Sequence, residues 1–445
     1  MHNGLKGYTK AYKELARLGL PILVGQLGMI IVGFADNIMV GHYSTAALAS
    51  ASFVNNLFNV AIFCCIGFTY GLTPLIGALF GRDEKASIGA LTRMAIWLNT
   101  AYTLVIMGVM GAIYFNLHRM GQPAELLPLI RPYYLLYLAG MIPISLFNVG
   151  AQWSYGINNT AMPMWIILSA NAVNVVGNYI LIFGHFGMPE LGLNGAGIST
   201  LGARIICPIA ILSALFFMKR FREYRSGLLY EKSRPGDLKL LWKTSLPVSM
   251  QLSFESGSFT MAAIMVGWIG AVPLAAFQIV VIVGTLGFCI YYSLGSAITI
   301  KVANAAGIGS CKGMRHYAWA GYHMMLVLAT LSSFIFIVGG EHLMKLFSND
   351  TVVVSLAVSL IFPLVLYQLG DATQITFAGA LRGTSHVMPM LWIAFISYVV
   401  VGLPVTYLFC FTLGLGTYGV ILSFSVTLFL AAVLFLRYFL VKTKN

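Results

Sequence analysis

The chain has 445 residues, 59% of them hydrophobic and only 9% charged, and its mean hydropathy is +0.86. That balance excludes a soluble globular domain and points to an integral membrane protein. A net charge of +13 would suit a nucleic-acid partner, but the placement of the basic residues along the chain excludes that reading.

Apolar runs of about 20 residues or more suit helices crossing a hydrocarbon core of about 30 Å, whereas barrel strands would show as short alternating segments. Twelve such runs are expected, over residues 15–40, 46–78, 89–115, 127–150, 160–184, 194–217, 241–268, 273–303, 316–338, 351–378, 387–411 and 415–438. The first is too long for a signal-peptide core and lacks an obvious cleavage site, so it counts as a span. With the N-terminus inside, the segments on the cytoplasmic side hold 22 of the 26 Lys and Arg residues: those from Lys6 to Arg17, from Arg82 to Arg93, from Lys219 to Lys243, from Lys301 to Arg315, Arg382, and from Arg437 to Lys444. Arg119, Arg131 and Lys345 fall on the other side, and Arg204 within a span. This asymmetry predicts an even number of spans and cytoplasmic termini.

The polar stretch from Lys219 to Lys239 separates six spans from six. It divides the chain into an N-terminal six-helix lobe (1–218), a cytoplasmic linker (219–240) and a C-terminal six-helix lobe (241–445). The halves resemble each other at one offset of 226 residues: Pro21 with Pro247, Val40-Gly41 with Val266-Gly267, Gly81 with Gly307, and Met162-Pro163-Met164 with Met388-Pro389-Met390. The expected fold is therefore an all-α membrane protein of twelve helices in two parallel repeats around a central cavity, an architecture suited to alternating access.

Only Asp36, Glu255 and Asp371, of thirteen acidic residues, lie well inside apolar runs. An ionisable group at membrane depth is costly and normally marks a substrate, ion or proton pathway. Asp36 lies toward the outer end of the first span. On the fifth, Asn171, Asn174 and Asn178 form one polar stripe, read either as an N-lobe polar site with Asp36 and Thr200 or as interhelical hydrogen bonds that hold the bundle. Arg204 either neutralises a carboxylate or snorkels, with a structural role favoured. Glu255 follows Pro247 by eight residues, and the proline can kink the helix and expose carbonyls. Tyr367 precedes Asp371 by four residues and shares its helical face. Such oxygen ligands suit Na+, and a buried carboxylate suits H+; the residues do not choose between them. The offset partners of the three acids are Ala262, Met29 and Ser145, so the scaffold is duplicated and the chemistry is not.

Enzyme signals fail on context. The string Gly414-Leu415-Gly416-Thr417-Tyr418-Gly419 matches a dinucleotide fingerprint, but it sits between two spans with no strand before it, and is expected to be a turn. No P-loop or HExxH string occurs, and the six cysteines lack metal-ligand spacing. No enzyme activity, cofactor or ATP-binding device is expected, so transport would draw on an ion gradient or a partner protein.

The segments PILVGQLGMIIVGFADNIMVG (21–41) and AGALRGTSHVMPM (378–390) resemble the multidrug and toxic compound extrusion (MATE) transporters, specifically the NorM branch, and the likeness covers essentially the whole chain. The resemblance implies antiport in which Na+ or H+ enters while lipophilic, often cationic drugs leave. It also implies that Asp36 matches the N-lobe acid, and that Glu255, Asp371 and Tyr367 match the C-lobe cation site. Asn178 stands where a related branch carries a second N-lobe aspartate, which favours coupling in the C lobe. The expected protein is a monomer in the bacterial cytoplasmic (inner) membrane, with drugs and the lipid bilayer as partners. The competing expectation is a flippase for a lipid-linked precursor, whose anionic cargo would call for basic residues in the cavity; the intramembrane charges here are mainly acidic.

Overall fold

The computed structural model describes residues 5–120, 123–348 and 350–444; the side chains of Leu5 and Lys6 lie outside the description, so the expected placement of Lys6 is not addressed. Every regular element among these residues is helical. The α-helices are α1 (Thr9–Tyr43), α2 (Thr45–Thr69), α3 (Leu72–Gly81), α4 (Lys85–Phe115), α5 (Leu127–Ala139), α6 (Met141–Gly156), α7 (Ala161–Phe183), α8 (Gly192–Phe217), α9 (Arg222–Tyr230), α10 (Asp237–Ile269), α11 (Ala271–Gly307), α12 (Cys311–Lys345), α13 (Thr351–Ser359), α14 (Ile361–Gly383), α15 (Met388–Ala394), α16 (Leu403–Tyr407) and α17 (Gly416–Lys442). Helical segments long and apolar enough to cross a membrane number eleven among the described residues, and α13 with α14, bent by 47°, makes up to twelve. Large apolar side chains such as Ile31, Trp97, Val105 and Ile337 are well exposed, as a lipid-facing surface requires. The protein is thus a multi-pass helical membrane protein.

The duplication read from the sequence reappears in the helix ends. Tyr43 ends α1 and Ile269 ends α10; Thr45 opens α2 and Ala271 opens α11; Lys85 opens α4 and Cys311 opens α12. Each pair is 226 residues apart, as 269 − 43 and 311 − 85 show. The turn between the second and third spans repeats in detail, with left-handed backbone at Asp83 (φ 58°) and at Gly309 (φ 69°). The glycine string at 414–419 is the expected turn: Gly414 and Gly416 have φ of 67° and 55°, and α17 starts there.

By contact the chain forms two compact units, Met1–Leu23 with Met250–Asn445, and Val24–Ser249. These boundaries differ from the lobes expected at 218/219 and 240/241. Both fall inside a continuous helix, α1 or α10, within three residues of Pro21 and Pro247. The physical reasons lie in local packing. The linker helix α9 lies tightly on α4, because a side chain at Gly89 would run into the backbone of Tyr224, Gly227 and Leu228, and one at Gly227 into that of Ala86. Arg93 of α4 then donates to the carbonyls of Leu228 (2.8 Å) and Glu231 (2.7 Å), closing the C-terminal end of α9. Arg234 pairs with Glu84 at 2.5 Å and Lys85 with Glu223 at 3.2 Å. In the other unit, Glu14 of α1 accepts hydrogen bonds from Tyr317 (2.8 Å) and Lys301 (2.9 Å), and Tyr8 stacks on His316 at 4.5 Å. The start of α1 is thereby fixed to α11 and α12.

The Val24–Ser249 unit holds one apolar cluster around Trp153 and another around Phe58 and Tyr134, with Tyr134 donating to the carbonyl of Met110 at 2.7 Å; the other unit holds one with Phe277, Val280 and Phe424. The α4–α9 crossing gives a direct test. Gly89→Val forces backbone apart and should destabilise the protein by about 3 kcal/mol, seen as a lower apparent Tm in detergent and faster tryptic cleavage between 219 and 239. Gly111→Val, on the same helix with nothing within 4 Å of an added Cβ, should melt like the parent.

Candidate functional site: two intramembrane polar clusters

Within the Val24–Ser249 unit, small residues bring α5, α7 and α8 together. Gly195 of α8 faces the backbone of Leu181 on α7, Gly197 faces Tyr133 and Leu136 on α5, and Gly177 of α7 leaves room for Ser199. Close approach of this kind puts polar side chains within bonding distance in a bundle. Asn178, fully buried, donates from Nδ2 to Asp36 Oδ1 at 2.5 Å and to Asn174 Oδ1 at 3.5 Å. Asn174 donates to Thr200 Oγ1 at 3.2 Å, and Ser199 donates to the Asn174 carbonyl at 2.8 Å. The expected set of Asp36, Asn174, Asn178 and Thr200 is therefore one connected network. Asn171, grouped with them in sequence, is not bonded into it in this structure: its buried Nδ2 has no partner among the described residues.

Arg204, one turn beyond Thr200 on α8, holds its guanidinium carbon 4.4 Å from the ring centre of Tyr137. Its charge acts on Asp36 and on Tyr133, whose hydroxyl lies 3.4 Å from that of Tyr137. Arg204 thus makes its ring contact with Tyr137 and acts on the carboxylate through its charge. Tyr133 and Tyr137 were not legible as members, because a tyrosine in an apolar helix carries no sign of which neighbour it meets.

In the other unit, α11 and α14 close on glycines. Gly287 faces Gln368, Gly295 faces Ile375, and Gly379 faces the Gly295 carbonyl, which seats α14 deeply enough to leave Asp371 only 2% exposed. The Glu255 carboxyl acts electrostatically on Asp371, and Tyr367 lies in the field of both. The sequence-expected trio of Glu255, Asp371 and Tyr367 is one cluster, with Tyr291 beside Asp371. Asp371 Oδ2, Gln368 Oε1 and Gln374 Oε1 are buried acceptors with no hydrogen-bond partner among the described residues. A buried acceptor left unsatisfied costs about 1 to 3 kcal/mol, so the chemistry of this donor-poor set fits a small cation.

Three members of the C-terminal cluster escape sequence reading. Gln251 donates to Glu255 at 3.3 Å and accepts from Arg382 at 3.4 Å. Arg382 had counted only as a cytoplasmic-side charge, yet its guanidinium acts on Glu255. Tyr398 stands beside Glu255 as well. It lies on a π-helical stretch, Phe395–Gly402, followed by Pro404; π turns re-aim side chains and cluster at functional sites. The proline two residues past Gly402 was the available signal. No group of three or more His, Cys, Asp or Glu placed to hold a metal occurs among the described residues.

The MatE family model matches residues 21–180 and 247–408, that is, both halves of the duplication, with Asp36, Asn174, Asn178 and the whole C-terminal cluster inside the matched ranges. Solved structures share the fold. A MOP superfamily transporter from Pyrococcus furiosus aligns with a TM-score of 0.88 at 19% identity, over 97% of this chain and 96% of that one. An outward-facing multidrug resistance MATE family transporter aligns with 0.87 at 19%, over 97% and 96%. The eukaryotic MATE transporter AtDTX14 gives 0.86 at 19%, over 99% and 97%. Members of this family are transporters, and with the family model matching both halves, the chain belongs to the MatE family.

Proposed function

We propose that the protein is a secondary multidrug antiporter of the NorM branch, which exports lipophilic, often cationic compounds in exchange for Na+ or H+ by alternating access. The observation that carries this reading is the C-terminal cluster: two carboxylates, half-buried Glu255 and buried Asp371, lie in one cluster with Tyr367, while a single guanidinium, Arg382, acts on Glu255. With both acids ionised, the three charges sum to minus one. Like charges at short range cannot both stay ionised at low cost, so the site favours taking up one monovalent cation or proton. Uptake there would weaken the hold on a cationic drug by about 1 to 3 kcal/mol, the usual scale of coupling between two ligands. The N-terminal network around Asp36, Asn174, Asn178 and Thr200 is assigned to holding cargo. The basic bias of the segments from Arg82, Lys219, Lys301 and Arg437 supports cytoplasmic termini and a bacterial inner-membrane location. Acidic clusters at depth disfavour the anionic cargo of a lipid-precursor flippase. The protein is proposed to act as a monomer, without ATP.

Reconstituted into liposomes with separately imposed Na+ and pH gradients, the protein should move ethidium along with one gradient and not the other. Asp371→Asn should abolish that dependence; normal ion-driven efflux from a folded Asp371→Asn protein would exclude the C-terminal cluster as the coupling site. Asn178→Ala is expected to act differently. A hydrogen bond to a charged group is worth about 1.5 to 3 kcal/mol, so efflux should fall about tenfold or more while the ion dependence stays as in the parent. Loss of ion dependence in Asn178→Ala would move coupling to the N-terminal unit.

A further inference from the structure

The two clusters differ in their resident positive charge. In the C-terminal unit two carboxylates are accompanied by one guanidinium, Arg382, which acts on Glu255, but in the Val24–Ser249 unit Arg204 acts on Asp36. The pocket around Arg204 is shaped for it. A Cβ at Gly140 would lie 2.8 Å from a guanidinium nitrogen and 3.1 Å from Cδ, so only glycine leaves the side chain its course. The planar head rests 4.4 Å over the Tyr137 ring, which holds a guanidinium by cation–π attraction independently of any carboxylate. Arg204 lies one turn from Thr200, which Asn174 and Asn178 of α7 connect by hydrogen bonds of 3.2, 3.5 and 2.5 Å to the Asp36 carboxylate of α1; its charge acts on that carboxylate and on Tyr133 of α5, and its ring contact is with Tyr137.

We propose that Arg204 is a built-in counter-ion that competes with the transported cation for Asp36 and so sets how tightly the N-terminal unit holds its cargo. This rests on the assignment of the Asp36 network to cargo binding. When a cationic substrate takes the carboxylate, Tyr137 keeps the guanidinium in place, and the opposed charges make binding weaker and release easier than at an unpaired acid. Arg204 is thus a specificity-determining residue: it penalises compact monovalent cations that have only charge to offer and favours those that add apolar contact.

The test is equilibrium binding of tetraphenylphosphonium to the purified full chain, with apparent Tm recorded for each variant. A neutral variant that melts like the parent, Arg204→Gln or Arg204→Met, should bind roughly 5- to 150-fold more tightly, the range of typical coupling between sites. Arg204→Lys should stay within about twofold of the parent. Asp36→Asn should bind more weakly, and adding Arg204→Gln to it should give no further tightening. A merely structural arginine would not make the effect depend on Asp36. Unchanged or weaker binding by a folded neutral variant, with Asp36→Asn still weak, overturns the counter-ion role and leaves the cargo assignment standing. Unaltered binding in Asp36→Asn overturns both. If neither neutral variant folds alone, recovery of folding in the Asp36→Asn background supports the pairing, and failure in both backgrounds overturns it.

Discussion

A charge held away from water in a lipid-embedded bundle must be compensated by protein groups, and this requirement organises both units. Asp36 is met by the Asn178 amide at 2.5 Å and by the charge of Arg204. Glu255 is met by Gln251 at 3.3 Å and by Arg382. Asp371 has neither: its nearby charge is another acid, and one of its oxygens is buried without a hydrogen bond among the described residues. Asp371 is thus the least compensated of these three carboxylates.

Compensation at this depth depends on how closely helices approach. The glycines at 177, 195 and 197 in one unit, and at 287, 295 and 379 in the other, remove the side chains that would hold the backbones apart. Where the packing is close, side chains as short as Asn, Ser and Thr can bridge two helices.

The repeat and the chemistry are separable. Helix ends recur at an offset of 226 residues, and so does the left-handed turn at Asp83 and Gly309. The π-helical stretch at Phe395–Gly402 has no counterpart in α7, which is α-helical throughout. Tyr398, which acts on Glu255, lies on this stretch. The duplication thus supplies a common frame, and local departures from it give the second unit its distinct cluster.

The amino-acid sequence by itself determined the helical membrane class, the duplication, and the identity of the three costly acids, because hydropathy runs, repeat spacing and rare intramembrane charge are properties of single segments. The grouping of Tyr367 with Asp371, and the line of Asn174 and Asn178, were also legible, since helical periodicity puts residues three or four apart on one face. What only the tertiary structure decided was partnership across helices: Arg204 with Asp36 and Tyr137, Arg382 through Gln251 with Glu255, Tyr398 at the same carboxyl, and the packing of α9 on α4. These contacts join residues far apart in the chain, and the glycine-dependent crossings that make them leave no local pattern from which the partner could be read.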